Sequence, residues 1–147
     1  MKRLILLVAG LMTSIGLLAQ NDRADNIVGI YSGGIGRDAF KASIEKAPDG
    51  TFQGHVIWVA ERYGKDGRLR LDARNPDKSL RDTPLEEIVL FKGLKYNPGK
   101  QQWDGTKIYD PNRGIRANMT ATFDGAKTLK IRGSLLGISE TEIWTKE

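Results

Sequence analysis

The sequence predicts an all-β fold of about eight antiparallel strands closed into a small up-and-down barrel. Three observations carry this. Apolar and polar residues alternate with a period of two along most of the chain beyond residue 19. Turns rich in Gly, Pro, Asn and Asp separate these runs, and no stretch there keeps a long helical period.

The chain has 147 residues and begins with Met1-Lys2-Arg3, a short positive start. Residues 4–19 are almost wholly apolar, and Gln20-Asn21-Asp22-Arg23 ends the run. That layout is a secretory signal peptide over residues 1–19, with cleavage expected after Ala19. The apolar run falls short of the roughly 20 residues that a spanning helix needs. A periplasmic or secreted protein is expected, with residues 20–147 as a single domain and no membrane span after cleavage. The chain has no cysteine, which excludes a lipid anchor on cysteine, a disulfide framework and thiolate metal sites.

The whole chain carries 23 basic and 18 acidic residues, a formal charge of +5. Without Lys2 and Arg3 the balance is 21 to 18, or +3. The charges alternate in sign, as in Lys65-Asp66-Gly67-Arg68. No basic stripe interleaved with aromatics occurs, so nucleic acid is not an expected partner.

In order along the chain, a first strand is expected at residues 28–32. Phe40, Ala42 and Ile44 then alternate with Lys41, Ser43 and Glu45 up to Pro48-Asp49-Gly50. Phe52, Gly54, Val56, Trp58 and Ala60 share one face of the next run, and Asp49-Gly50 between the two marks a hairpin. Residues 62–84, with Asn75-Pro76 inside, read as a loop with a short helical turn near residues 79–81. A loop of that length in a compact domain is commonly functional or mobile.

Strands follow at 87–96 and 102–109, punctuated by Asn97-Pro98-Gly99. The clearest strand is 115–123: Ile115, Ala117, Met119, Ala121 and Phe123 point one way, and Arg116, Asn118, Thr120 and Thr122 the other. Asp124-Gly125 turns the chain into Leu129, Ile131, Gly133 and Leu135, and a last strand is expected at 140–145. Successive hairpins with one apolar face must cover it. Closing the sheet on itself does so and removes its edges. Eight strands leave an interior that side chains just fill, or one that holds a single small ligand.

Trp103-Asp104-Gly105-Thr106-Lys107-Ile108-Tyr109-Asp110-Pro111 is the most distinctive string. With Asp72…Asn75-Pro76 before it and Leu129-Lys130-Ile131-Arg132-Gly133…Trp144-Thr145 after it, the chain resembles the bacterial domain-of-unknown-function 2147 family over residues 28–146. Trp103, Gly105, Ile108, Tyr109, Asp110 and Pro111 carry the likeness most specifically. The resemblance implies a small exported protein with a lipocalin-like barrel, and it brings no catalytic residues, because the family has no established activity. Three features depart from the family's pattern. Tyr31 stands in Gly29-Ile30-Tyr31 where Trp is usual, Leu85-Glu86 replaces a Leu-Gly pair, and the segment between Gly133 and Trp144 is short.

Candidate ligand-lining residues are Phe40, Phe52, Trp58, Phe91, Trp103, Tyr109, Met119 and Phe123. Trp103 and Tyr109, six residues apart, are expected on one face, either lining a pocket or closing the core. The small residues Gly54, Ala117, Ala121 and Gly133 either leave room for a cavity or relieve crowding where the sheet curls. Gly29 and Tyr31 are expected to meet Trp144 and Thr145 where the barrel closes, with Arg132 or Lys146 stacked there.

His55, beside no obvious carboxylate, reads as a surface or rim residue. Glu140 and Glu142 share a strand face about 7 Å apart, within the roughly 5–9.5 Å of a glycosidase pair. Alternating charges on an exposed sheet face give the same pattern. Glu86-Glu87 and Asp104 with Asp110 are the other acid pairs. Residues 72–77 lack the spacing of a calcium loop and read as an Asx-type turn. Neither a metal nor a cofactor is expected.

The leading expectation is a binding module holding a small, partly apolar molecule in the barrel mouth. A packed envelope scaffold that binds another protein or a glycan through its loops comes second. A carboxylate-dependent envelope hydrolase comes third.

Overall fold

The structure, a computed structural model, describes residues 19–147; the expected signal peptide lies, up to residue 18, outside the described residues. Eight strands run as β1 (Gly29–Gly33), β2 (Phe40–Lys46), β3 (Phe52–Val59), β4 (Val89–Asn97), β5 (Gln102–Asp110), β6 (Ile115–Phe123), β7 (Thr128–Leu135) and β8 (Ile138–Lys146). They form a closed antiparallel barrel in sequence order. Closure rests on two residue pairs, Tyr31 with Lys146 and Ser32 with Thr145. The first and last strands therefore meet where the sequence predicts.

β8 starts two residues earlier than its pattern suggests. Leu136 (φ 51°) and Gly137 (φ 81°) form a two-residue turn with both residues in the left-handed region, so Leu135 pairs directly with Ile138. Leu-Gly is not a usual signal for such a turn.

Bulges on β3 and β5 shift the faces that the period of two assigns. On β3, Val56 pairs with Ala42 while Trp58 pairs with Lys41, so Ile57 is the extra residue. Val59, opposite Phe40, takes the inward place and Trp58 turns out, 45% exposed. The single face expected for Phe52, Gly54, Val56, Trp58 and Ala60 thus ends at Val56. On β5, Trp103 pairs with Ala121 and Thr106 with Met119, which leaves Asp104-Gly105 opposite one residue, with Gly105 at φ 84°. Beyond this bulge Tyr109 pairs with Arg116, on the face opposite to that of Trp103. The two aromatics do not share a face.

The core fills one end of the barrel. Ile44, Phe52, Phe91, Leu94, Trp103, Met119, Ala121, Phe123 and Leu129 are all buried there. Trp103 meets Phe123 edge-on at 5.7 Å and Tyr96 at 5.2 Å. Gly54 is a position of close approach, since a Cβ there would sit 2.5 Å from the Phe91 ring. The glycine makes room for that ring.

The segment before β1 plugs this end. Its two 3-10 turns, Ala19–Asn21 and Ala24–Ile27, place Ile27 in the core. The Asn21 side chain donates to the Phe123 carbonyl (2.9 Å) and accepts from the Phe123 amide (2.7 Å). Tyr96 donates to the Asn21 carbonyl, Trp103 to that of Ala24, Tyr31 to that of Ile27 and Lys146 to that of Asn26. Polar tips of buried rings thus satisfy backbone carbonyls that enter no strand. Lys146 Nζ also lies 5.7 Å over the ring of Phe123 on β6, not over the Tyr31 and Trp144 rings of the closure where Arg132 or Lys146 is expected to stack. Arg132 instead donates to Ser139 on the exposed side of the wall.

Candidate functional site

The other end of the barrel is open. The connections after β1, β3, β5 and β7 gather there, and between them lies a cavity of about 920 Å³. Its floor is apolar: Phe40, Val56, Leu90, Ile108, Ile131 and Trp144. Phe40 packs edge-on against Trp144 at 5.5 Å and fixes the floor against the packed half. Ala117 and Gly133 are neighbours on the adjacent strands β6 and β7, and their small side chains keep this stretch of the wall from filling the space; a Cβ on Gly133 would touch that of Ala117 at 3.3 Å.

Of the candidate lining residues, Phe40 and Tyr109 border this cavity. Phe52, Phe91, Trp103, Met119 and Phe123 sit in the packed end, and Trp58 lies on the outside. Aromatic bulk filled one half, and the aliphatic positions with Ala117 and Gly133 made the pocket in the other. Of the four small residues, Gly54 and Ala121 belong to the packed core. His55 pairs with Ser43 and Val89 and does not line the cavity.

The loop of residues 60–88 crosses the mouth. It folds on itself through bridges Tyr63–Leu69 and Leu71–Pro84, makes a helical turn at Lys78–Leu80, close to the expected position, and ends in a second at Leu85–Glu87. Asp77 caps the first turn, accepting from the Ser79 hydroxyl (2.7 Å) and amide (2.9 Å), which hold its carboxyl below the usual range. The loop is locked to the barrel by Asp72. This buried carboxylate accepts from the Tyr109 hydroxyl (2.6 Å) and from the Asn75 side chain (2.8 Å). Asn75 in turn accepts from the Asp77 amide, an Asx turn as the sequence predicts. Burial first, then the bond to Asp72, raises the Tyr109 pKa, and Arg116 lies 5.1 Å over its ring. Two separated motif pieces, Asp72…Asn75-Pro76 and Ile108-Tyr109-Asp110-Pro111, are therefore one structural unit.

Glu140 and Glu142 occupy the inward face of β8, opposite Gly133 and Ile131, so they do not form an exposed outer stripe. Arg113 donates to Glu140 at 2.7 Å and lies 3.5 Å from Asp110, while the Trp144 indole donates to Glu142 at 3.3 Å. Both acids remain solvated because β1 pairs with β8 only at its last residues. Among the described residues, no three His, Cys, Asp or Glu side chains gather as metal ligands. No helix among them is long and apolar enough to cross a membrane.

Sequence reading missed the arginines of the mouth. Arg37, Arg68, Arg70, Arg74 and Arg113 all line the cavity, from three different connections. Spread over 77 positions of charged, alternating sequence, they give no local pattern; only the barrel gathers them.

The family described as an uncharacterized protein conserved in bacteria (DUF2147) matches residues 32–146. A solved structure from Helicobacter pylori, protein HP1028, described as belonging to the lipocalin family, is similar in fold. Its TM-score is 0.66 at 20% identity, over 82% of each chain. Among curated proteins, none matches the sequence.

Proposed function

This chain belongs to the DUF2147 family of uncharacterised bacterial proteins, and from that premise we propose that it is an exported lipocalin-like barrel holding one small, partly apolar molecule in its mouth. The cavity carries this reading. Its volume of about 920 Å³ lies in the range of small-molecule sites, its floor is apolar apart from Glu142 beside Trp144, and the other charged groups gather at its rim. Export is supported by the charged start and apolar run of residues 1–19.

Native mass spectrometry of the protein, purified gently from its own cell envelope, tests the reading. A reproducible extra mass that is lost on denaturation is the expected result. A clean apoprotein mass that persists after incubation with envelope lipid extract would remove the cavity ligand.

A second reading has one observation in its favour. Ile35, Leu136 and Ile138 are 90%, 94% and 70% exposed at the mouth end. Loose apolar side chains around an opening suit docking of the mouth on another envelope component.

A further inference from the structure

We infer that the molecule held in the mouth carries an anionic head on an apolar body, and that Arg68, Arg70 and Arg74 take the head. This rests on the cavity reading above and adds the ligand's chemical class. Two of the five arginines of the lining are already paired with carboxylates. Arg37 pairs with Glu61 (3.1 Å), and Arg113 pairs with both Glu140 and Asp110. The remaining three guanidinium groups meet no carboxylate. Arg70 gives one bond to the Glu61 carbonyl (3.1 Å), Arg74 gives one to the Asn112 carbonyl, and Arg68 has no side-chain partner among the described residues.

Each guanidinium has five N–H donors, so most of the donor capacity of these three cavity-lining groups is left unused within the protein. The acids of the same lining equal its arginines in number, and only two of them are in an ion pair. Glu140 and Asp110 hold Arg113, Asp66 accepts the Arg68 amide (3.0 Å), and Glu142 accepts the Trp144 indole. Asp38 is left, on the connection after β1.

The lining as a whole therefore carries no net positive charge, five arginines against five carboxylates; what Arg68, Arg70 and Arg74 supply is a local group of guanidinium donors that no carboxylate occupies. Planar guanidinium groups match the oxygens of a carboxylate or a phosphate monoester, often in bidentate pairs. All three arginines come from one short stretch of the crossing loop, residues 68–74, which also brings Leu69, Leu71 and Ala73 to the cavity wall and holds the buried Asp72 between Leu71 and Ala73. A head bound there leaves its tail pointing at the floor of Phe40, Ile131 and Trp144. An amphiphile would satisfy both halves of the cavity at once.

Titration calorimetry with laurate, dodecyl phosphate and dodecanol, which share one tail, tests this. Both anions should bind at least about tenfold tighter than the alcohol, as expected for one or more charge-assisted hydrogen bonds. The tighter of the two names the head group. Their advantage should shrink as salt is raised, while dodecanol affinity holds. In R68Q/R70Q/R74Q all three should bind alike, at the level of dodecanol. R68Q alone, which breaks no bond inside the protein, should lose part of the preference.

Equal affinity of all three for the native protein would overturn the head-group assignment and leave the cavity reading standing. Binding of none would overturn the cavity reading itself. An anion preference that survives in the triple variant would move the head away from these arginines.

Discussion

The Tyr109 hydroxyl donates to Asp72 Oδ1 at 2.6 Å across 37 residues of sequence, and both groups are buried. Through this bond β5 holds the loop that crosses the barrel mouth. The same loop carries Arg68, Arg70 and Arg74, so one buried contact sets where three charges stand.

Tyr109→Phe removes a donor from a buried carboxylate and should cost about 1–3 kcal/mol in urea unfolding. Limited proteolysis should cut faster within residues 60–88 than in the native protein. Unchanged stability and cleavage would show that the loop is held by other contacts.

Ala117→Phe and Ala121→Phe place the same bulk on the same strand face, four residues apart. The first fills the cavity from the wall it shares with Gly133 and should weaken laurate and dodecanol binding at least about tenfold with the fold intact. The second overpacks the filled end, where Ala121 is fully buried, and should destabilise by about 1–3 kcal/mol. Full ligand affinity in Ala117→Phe would place the binding site elsewhere.

Asn21 makes two side-chain bonds to the backbone of Phe123. Asn21→Ala should lower stability by about 2 kcal/mol, because both a buried amide and a carbonyl lose partners. A thermal melt reads this directly, and ligand affinity should be unaffected because the plug lies at the far end from the cavity. A loss of affinity without a loss of stability would contradict the division of the barrel into a packed half and an open half.

Burial raises the pKa of Tyr31, and burial with the bond to Asp72 raises that of Tyr109. In the unfolded chain both ionise near pH 10. A folded pKa above the unfolded value means that the neutral hydroxyls stabilise the fold fully below about pH 10, and that this part is lost as pH rises toward the folded values. Urea midpoints should fall above about pH 10, and Y31F/Y109F should show a shallower decline. An equally steep decline in the double variant would assign the alkaline loss to other groups.

The sequence by itself determined the architecture. Period-two alternation names the inward residues wherever no bulge interrupts a strand, Asp49-Gly50 and Asp124-Gly125 mark turns, and eight one-faced strands have to close. These are local consequences of backbone geometry, so they are legible in windows of ten residues. The motif around Trp103 to Pro111 was legible too, and so was the likeness to its family.

Tertiary structure decided where the interior is full and where it is empty. Periodicity says that Phe52, Phe91, Trp103 and Tyr109 leave water; it does not say what each ring meets. A bulge at Asp104-Gly105 turned Tyr109 from the face of Trp103 to the underside of a loop, and one after Val56 sent Trp58 outside. Each inserts a single residue, and a single residue reverses every face beyond it. The arginine-lined mouth follows the same logic, since closure of the barrel, not nearness in sequence, brings three connections to one rim.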